Sequence, residues 1–236
     1  MNETFIREAM LLGPDALERL QQRHVMIFGI GGVGSYCAEA LARSGVGAIT
    51  LVDHDTISAS NLNRQIIALH STIGLYKSDV MARRIQDINP SCRVTSLPCL
   101  YQEQTKEQFF HQPVDYIVDA IDMVCSKLSL IQTAKELQIP IISAMGTGNK
   151  LDPSQFQITD ISKTTLCPLA RVVRKELKAR GILHHTVLYS TEEPRVPLPL
   201  ESPPPGRRSL PASVAWVPSC AGLMIAGYVV QALADI

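Results

Sequence analysis

Apolar runs alternate with amphipathic segments along the first 146 residues of the chain. Runs without a polar break predict strands that are buried on both faces, and these are HVMIFGI, AITLVD, RVTSLPCL, YIVDAID and PIISAMG. The segments between them predict helices, and these are VGSYCAEALARSG, SDVMARRIQDINP, QEQTKEQFFHQ and CSKLSLIQTAKELQ. Such alternation predicts an α/β fold, a Rossmann-like, doubly wound, mainly parallel sheet over residues 24–146.

The pattern changes beyond this core, and residues 147–236 form a predicted extension of strands and helices. FQITDI and HTVLYS predict strands around the helix PLARVVRKELKAR, and SVAWVPS predicts a last strand. Residues 191–212 hold seven prolines, which predicts a mobile loop. A short helix over residues 14–23 precedes the core. We expect residues 1–236 to form a single domain.

Composition excludes several classes of protein. The formal net charge is zero and the pI is about 7.0, so a nucleic acid or an anionic lipid would have to bind a local patch. None of the six cysteines forms a C-x-x-C pair, which argues against a zinc knuckle. No secretory signal is visible, and the apolar segment 221–236 is shorter than the ~20 residues of a spanning helix. We therefore expect a cytoplasmic protein without a membrane partner, whose last helix lies in the core or at a dimer interface.

The stretch FGIGGVGS lies between the first strand and its helix, as in loops that bind phosphate groups. Its glycines, Gly29, Gly31, Gly32 and Gly34, let a phosphate approach the backbone at the positive end of a helix. Asp53 ends the second strand, where a carboxylate bonds ribose hydroxyls. The pattern fits NAD, FAD, S-adenosylmethionine or ATP, and a glycine turn without a ligand is the alternative.

A polar cluster after the second strand favours a triphosphate over NAD. Arg64 and Lys77 offer positive charge to phosphate oxygens, while Asn61 and Gln65 offer hydrogen bonds. Taken alone, Arg64 also fits a surface salt bridge, and Lys77 also fits a solvated helix start.

Two aspartates, Asp119 and Asp122, stand at and just past the end of the fourth strand. Open α/β sheets bind ligands at that edge, and a carboxylate there can hold Mg²⁺ against phosphate oxygens.

The chain resembles the superfamily of ubiquitin-activating-type adenylating enzymes from Phe5 to about Met145. The shared motifs are F-x-R-x-x-x-L-x-G, GxGGVGS, D-x-D, N-x-N-R-Q, Lys77, INP and DAID. Enzymes of this superfamily bind MgATP and join a carboxylate to AMP with release of pyrophosphate. The chain is most similar to the branch of tRNA threonylcarbamoyladenosine dehydratases, and this likeness, through segments such as DPSQFQITDISKT and LYSTEEP, covers nearly the whole chain.

The resemblance implies an activity and a set of site residues. The implied enzyme activates the threonyl carboxylate of a modified adenosine beside the tRNA anticodon, then closes a ring with loss of AMP and a net loss of water. It acts as a homodimer in which Arg7 reaches the ATP of the other subunit. Asp53 holds the ribose, and Asp122 binds Mg²⁺. The implied catalytic residues are Arg7, Arg64, Lys77 and Asp122. The implied ATP-binding residues are Gly29, Gly31, Gly32, Gly34, Asp53, Asp55, Asn61, Arg64, Gln65, Lys77 and Asp122.

A basic helix face in the extension is a candidate surface for the tRNA backbone. Its residues have the i, i+3, i+4, i+7 spacing of one face, and they are Arg171, Arg174, Lys175 and Lys178. The spacing fits an ordinary solvated face equally well, and the resemblance favours tRNA, with Arg207 and Arg208 of the predicted mobile loop nearby. Relatives in the branch have a glycine-rich stretch where SAMGTGN, residues 143–149, stands here. Backbone carbonyls of such a loop are candidates for binding a monovalent cation.

Two cysteines and two histidines are interpreted as structural residues and not as catalytic or metal-binding ones. Cys167 and Cys220 are interpreted as structural thiols, although a thiol at a helix N-terminus can have a lowered pKa. His184 and His185 begin a strand and have no acidic or cysteine partner at metal-ligand spacing.

Other functions stay open as alternatives. The second candidate is an adenylyltransferase that activates the C-terminus of a ubiquitin-like sulfur carrier, and a sulfur-transfer or redox partner is a related expectation. The lack of C-x-x-C pairs counts against this candidate. A non-catalytic nucleotide-binding scaffold would keep the glycine loop without depending on Arg64 or Asp122. The cationic cluster disfavours an NAD oxidoreductase.

Overall fold

One seven-stranded sheet organises the chain, in a computed structural model that describes residues 3–200 and 211–236. The strands are β1 His24–Phe28, β2 Ala48–Val52, β3 Arg93–Leu97, β4 Tyr116–Asp119, β5 Ile141–Ala144, β6 Phe156–Asp160 and β7 Thr186–Ser190. The helices are α1 Ile6–Leu12, α2 Pro14–Gln21, α3 Gly34–Arg43, α4 Lys77–Ile88, α5 Val124–Glu136, α6 Pro168–Ala179 and α7 Trp216–Ala234.

The strand order is β3-β2-β1-β4-β5-β7-β6. Every neighbouring pair is parallel except β6 and β7, which are antiparallel. The prediction of a mainly parallel, Rossmann-like sheet with an added extension is thereby confirmed. The chain reverses its direction of winding between β1 and β4, so a crevice forms there beyond the carboxyl ends of the strands.

Alternate residues of each strand face two separate cores, as the pleat of a strand requires. On β1, Val25 and Ile27 pack with helices α2, α3, α4 and α7 on one face. Met26 and Phe28 pack with α5 and α6 on the other. The unbroken apolar runs of the sequence are explained by this burial on both faces.

The segment SVAWVPS is not a strand, which corrects the prediction. Residues 211–214 are irregular and α7 begins at Trp216. Its valines and tryptophan suit a strand, but Pro218 lies in the first helical turn, where its missing N–H leaves no hydrogen bond unmade. Packing of α7 against α3 then decides the structure.

The apolar helix α7 is longer than the sequence suggested. Its 19 residues are long and apolar enough to cross a membrane, but 56% of its most apolar window is buried inside the protein. The prediction of a core helix is confirmed for that buried side, while the estimated length was too short. The exposed side carries Trp216, Leu223, Met224 and Tyr228.

Two helix predictions are modified. The helix predicted over residues 14–23 is α2, and α1 precedes it across Gly13. The segment QEQTKEQFFHQ forms a 3-10 helix, Glu103–Gln108, in place of an α-helix. It delivers Phe109 to a ring cluster in which its centroid lies 5.8 Å from that of Phe28.

The proline-rich segment is described at both of its ends. Arg195 N donates to Asn149 O at 2.8 Å, and Ala212 N donates to Asn149 Oδ1 at 2.7 Å. Both ends are therefore fixed to the loop after β5. The rest of the predicted mobile loop, residues 201–210 with Arg207 and Arg208, lies outside the described residues.

Candidate active site

A cleft of about 1040 Å³ runs along the carboxyl ends of β2, β1, β4 and β5. Segments 28–33, 52–55 and 61–65 with Lys77 form what we call the glycine-loop end. Segments 144–150, 167–169 and 211–213 form what we call the α6 end. The cleft gathers most of the predicted ATP-binding residues, namely Gly29, Gly31, Gly32, Asp53, Asp55, Asn61, Arg64, Gln65, Lys77 and Asp122.

The glycine loop is held by close backbone packing. Gly29 has a φ of +87°, and a Cβ there would lie 2.6 Å from the carbonyl oxygen of Ala120. A Cβ on Gly34 would overlap the carbonyl oxygen of Gly29. Gly34 is the first residue of α3 and supports the turn without lining the cleft. Only glycine fits these two positions, which explains the sequence motif by sterics.

Asp53 anchors the glycine loop through its carboxylate. Oδ2 accepts a hydrogen bond from Ile30 N at 2.6 Å, and Oδ1 accepts one from Asp55 N at 2.8 Å. Because each carboxylate oxygen has two lone pairs, acceptor positions are left for a ribose hydroxyl.

The cations at the glycine-loop end are held in place by oxygen atoms. Lys77 begins α4, and its Nζ lies 2.6 Å from Asp55 Oδ2. Arg64 Nη1 donates to Ser60 O at 2.7 Å and to Asn63 Oδ1 at 2.9 Å. Partial burial lowers the pKa of Arg64 from its ordinary high value.

Two polar side chains shape the loop that carries Arg64. Asn61 Oδ1 accepts from Ser58 N at 3.1 Å and closes the turn before Arg64. Gln65 is buried, and its Oε1 has no hydrogen-bond partner among the described residues. A buried amide oxygen without a partner fits a residue that awaits a ligand.

The two aspartates at and just past the end of β4 have different environments. Asp122 is exposed and lines the cleft. Asp119 is fully buried and forms an ion pair with Lys127, whose Nζ lies 2.6 Å from its Oδ2. Sequence reasoning missed Lys127, although its position on the apolar face of α5 with Ile131 and Ala134 was a usable signal.

The donors that could hold a metal are oxygen-rich. Atoms of Asp53, His54 and Asp55 lie within 4.8 Å of one another, but the carboxylates of Asp53 and Asp55 already serve protein partners. The Asp122 carboxylate is on the cleft wall beyond β4. Hard oxygen donors that share a binding site with phosphates suit Mg²⁺.

The α6 end carries a buried cation that the motif search did not single out. Lys150 is 3% exposed, and its Nζ donates to Glu192 O at 2.5 Å. Burial lowers the pKa of Lys150, and the negative charge of Glu192 offsets this in part. Cys167 is buried and caps α6, accepting from Ala170 N at 3.5 Å, as a structural thiol would.

Two predicted sites, Arg7 and the basic face of α6, do not line the cleft. Arg7 is exposed on α1 and does not line the cleft. On α6, Arg171, Lys175 and Lys178 are exposed, as the predicted basic face requires. Arg174 instead donates to the carbonyl and hydroxyl oxygens of Thr164 at 2.7 and 2.6 Å.

Cys220 and the two histidines do not line the cleft, and their surroundings differ. Cys220 lies inside α7 and does not precede it, which corrects the predicted position. His184 is exposed. His185 is buried, and its Nε2 lies 2.8 Å from Ser143 Oγ. Burial, helped by Lys127 and Lys135, lowers the pKa of His185 to about 3.

Comparison with known proteins gives consistent matches. Residues 5–236 match the model of the ThiF family. A tRNA threonylcarbamoyladenosine dehydratase of Bacillus subtilis (strain 168) is 46% identical over 99% of this chain and 95% of its own length. The Escherichia coli (strain K12) protein of the same name is 43% identical over 78% of this chain and 72% of its length. The crystal structure of the E. coli enzyme in complex with ATP has a TM-score of 0.89 at 36% identity and covers 99% of this chain and 94% of that one.

Proposed function

The chain belongs to the ThiF family, and we propose that it is an ATP-dependent dehydratase of threonylcarbamoyladenosine in tRNA. The observation that carries this proposal is the cleft, which gathers the glycine loop, Arg64, Lys77 and Asp122 at the switch point of the sheet. Those groups suit an enzyme that brings a carboxylate to a nucleoside triphosphate, since both reactants are anions that repel each other in water.

The reaction has two steps. The threonyl carboxylate attacks the α-phosphorus of ATP, a carboxylate–phosphorus bond forms, and pyrophosphate leaves. The activated carbonyl is then attacked from within the same side chain, a ring closes, and AMP leaves. The nucleoside loses one water overall, because its carboxylate oxygen leaves with AMP.

The residues of the glycine-loop end bind and orient the nucleotide in this proposal. The glycine loop and the N-terminus of α3 face the phosphates, and Asp53 holds the ribose. Asn61, Arg64 and Lys77 bond phosphate oxygens, with Asp55 keeping the Lys77 ammonium in place. The unpartnered Oε1 of Gln65 accepts a hydrogen bond from a ribose hydroxyl or another donor of the substrates. These cations stabilise the charge that develops at the α-phosphate.

Asp122 is the residue that would hold Mg²⁺, and the bound ion would neutralise charge on the phosphates. The predicted monovalent cation at residues 143–149 also stays a proposal. Replacing K⁺ and Na⁺ by tetramethylammonium tests it. A fall in activity supports a bound ion, while unchanged activity assigns the positive charge of this region to Lys150.

We place the tRNA on the outer face of α6, next to the α6 end of the cleft. Arg171, Lys175 and Lys178 are its exposed cations. We further propose a cytoplasmic homodimer of single-domain chains in which Arg7 completes the partner's site. A sulfur-transfer or redox partner stays a prediction.

One incubation tests the function. The protein, MgATP and tRNA that carries threonylcarbamoyladenosine are mixed, and the nucleosides are weighed after digestion. A nucleoside lighter by one water, with AMP and pyrophosphate released, is expected. An unchanged nucleoside overturns the proposal, and AMP transfer to a ubiquitin-like sulfur carrier would then favour the second candidate.

A further inference from the structure

The ion pair between Asp119 and Lys127 is buried completely, with neither side chain exposed. Replacing such a pair by apolar residues of similar volume is often neutral or stabilising, because two charges lose their hydration when they are buried. Stability alone therefore does not account for this pair. The hydrogen bonds that its other atoms make connect it to the walls of the cleft.

Asp119 holds the wall that carries Asp122. While its Oδ2 pairs with Lys127, its Oδ1 accepts a hydrogen bond from Ile121 N at 3.1 Å. Ile121 directly precedes Asp122 in the chain. The backbone orientation from which the Asp122 carboxylate extends is thus fixed by Asp119.

Lys127 holds the opposite wall. Its Nζ donates to Ala144 O at 3.1 Å as well as to Asp119. Ala144 ends β5, and the following residues, 145–150, line the α6 end of the cleft. One ammonium therefore ties the end of β4 to the end of β5.

The glycine loop rests on the same strand end. Ala120 N donates to Phe28 O at 2.8 Å, and Ala120 O is the atom that a Cβ on Gly29 would meet first. Ala120 lies between Asp119 and Ile121, the two residues joined by the Asp119 hydrogen bond. The buried pair therefore connects three parts of the cleft wall, which are the strand end that carries Asp122, the α6 end and the glycine loop.

We propose that Asp119 and Lys127 are positioning residues, which fix the Asp122 carboxylate relative to the glycine loop and to the α6 end. This inference rests on the proposed function for the role of Asp122. Neither residue lines the cleft, so both act through the groups that they hold.

The double variant Asp119→Leu/Lys127→Met tests the proposal, because it also removes the acceptor for Ile121 N. It removes both buried charges together, so no uncompensated charge is left in the core. The methionine side chain has no N–H to donate to Ala144 O, so the side-chain link between the two walls is lost. The matched control is Lys106→Met/Glu136→Gln, which removes an exposed ion pair of 3.5 Å that involves the same helix.

The readouts are the melting temperature, kcat for dehydration, and the ratio of the ATP dissociation constants in EDTA and in Mg²⁺, measured by calorimetry. We expect the double variant to melt near the parent temperature, with the affinity ratio lowered about fivefold and kcat lowered about tenfold. The control should match the parent. An affinity ratio and kcat within about twofold of the parent overturn the proposal.

A replacement variant and a separate binding measurement allow the proposal to be decided if the first experiment fails. Should the double variant not fold, Asp119→Ala/Lys127→Met replaces it, since it also removes both charges and the acceptor for Ile121 N, with a smaller side chain at position 119. The same results support or overturn the proposal. If the parent protein binds MgATP without dehydrating tRNA, the proposed function fails, and the affinity ratio still tests the positioning role.

Discussion

The two ends of the cleft are built in different ways. The glycine-loop end comes from neighbouring stretches of chain between residues 28 and 77, and its cation Lys77 is neutralised by Asp55 at 2.6 Å. The α6 end comes from segments that are far apart in the chain, and its cation Lys150 bonds a main-chain oxygen. The residues of the glycine-loop end are close enough in the sequence to be recognised as a motif. The segments of the α6 end are separated in the sequence and are brought together only by folding.

We infer from this difference that the two ends of the cleft bind different substrates. The glycine-loop end has the backbone N–H groups and the cations that a triphosphate needs. Residues 167–169 at the start of α6 line the α6 end, and the same helix carries the exposed cations that we propose bind the tRNA backbone. Variants in one end should therefore impair one substrate and spare the other. The predictions for Arg64, for Lys175 with Lys178, and for Cys167 test this separation, and the prediction for His185 concerns the stability of the sheet.

Arg64→Ala should give the largest loss. We propose that Arg64 supplies positive charge where the adenylate forms. AMP formation should then fall about 100-fold or more, which corresponds to about 3 kcal/mol of transition-state stabilisation. Binding of tRNA should be unchanged in a filter assay. Arg83→Ala, which removes an exposed arginine on α4, is the control. Retained AMP formation would exclude Arg64 from the chemistry.

His185 should make the β5–β7 half of the sheet acid-sensitive. Its pKa is about 3 in the folded protein and about 6.5 in the unfolded chain, so the unfolded chain binds the proton first. Its contribution to stability is complete above pH 6.5 and is lost as the pH falls towards 3. The charged groups that act on it are Lys127, Lys135 and Asp160.

At pH 5 this loss should be roughly 2 kcal/mol, measured by urea unfolding relative to pH 8. In the variant His185→Gln this part of the pH dependence should disappear, whatever its stability at pH 8. An equal loss in both proteins would contradict the prediction.

Charge reversal on the outer face of α6 should weaken tRNA binding selectively. Lys175→Glu/Lys178→Glu should raise KM for tRNA about tenfold at low salt and leave the ATP dissociation constant unchanged. The salt dependence of tRNA binding should also become less steep. Arg174 is unsuitable for this test, because its guanidinium holds Thr164. An unchanged KM would place the RNA on another surface.

Cys167→Ser should have the smallest effect. Serine is a good N-cap and can replace the sulfur atom that accepts from Ala170 N. Dehydration should stay within about twofold of the parent if the thiol only caps α6. A complete loss of activity would mean that the α6 end carries out covalent chemistry, as the sulfur-carrier alternative would suggest.

The residues of the glycine-loop end could be predicted from the sequence because their spacing is local. Gly29 and Gly34 are required by contacts within a few residues of chain and with the adjacent strand end. Arg64 and Lys77 follow shortly after, and they reach the same cleft by short turns. The roles assigned to these residues stay predictions.

The parts that sequence reasoning missed depend on packing between elements, and no spacing motif marks them. Lys127 pairs with a residue on the preceding strand and with the end of the next strand, β5. Lys150 is buried by the segment around Glu192. The segment SVAWVPS has strand-like residues, but its packing on α3 makes it helical from Trp216. Local propensity is a weak guide where tertiary contacts decide.

The position of α7 has a consequence for how the protein is made. Pro218 of α7 lines the cleft. The guanidinium of Arg19 donates a hydrogen bond to the carbonyl oxygen of Ala234, which lies 215 residues further along the chain. At a synthesis rate of ~5–20 residues per second, the N-terminal helices wait roughly ten to forty seconds for this partner. A nascent chain therefore displays its glycine loop long before that wall of the cleft exists, and until then the apolar surface of α3 must be kept from other partners.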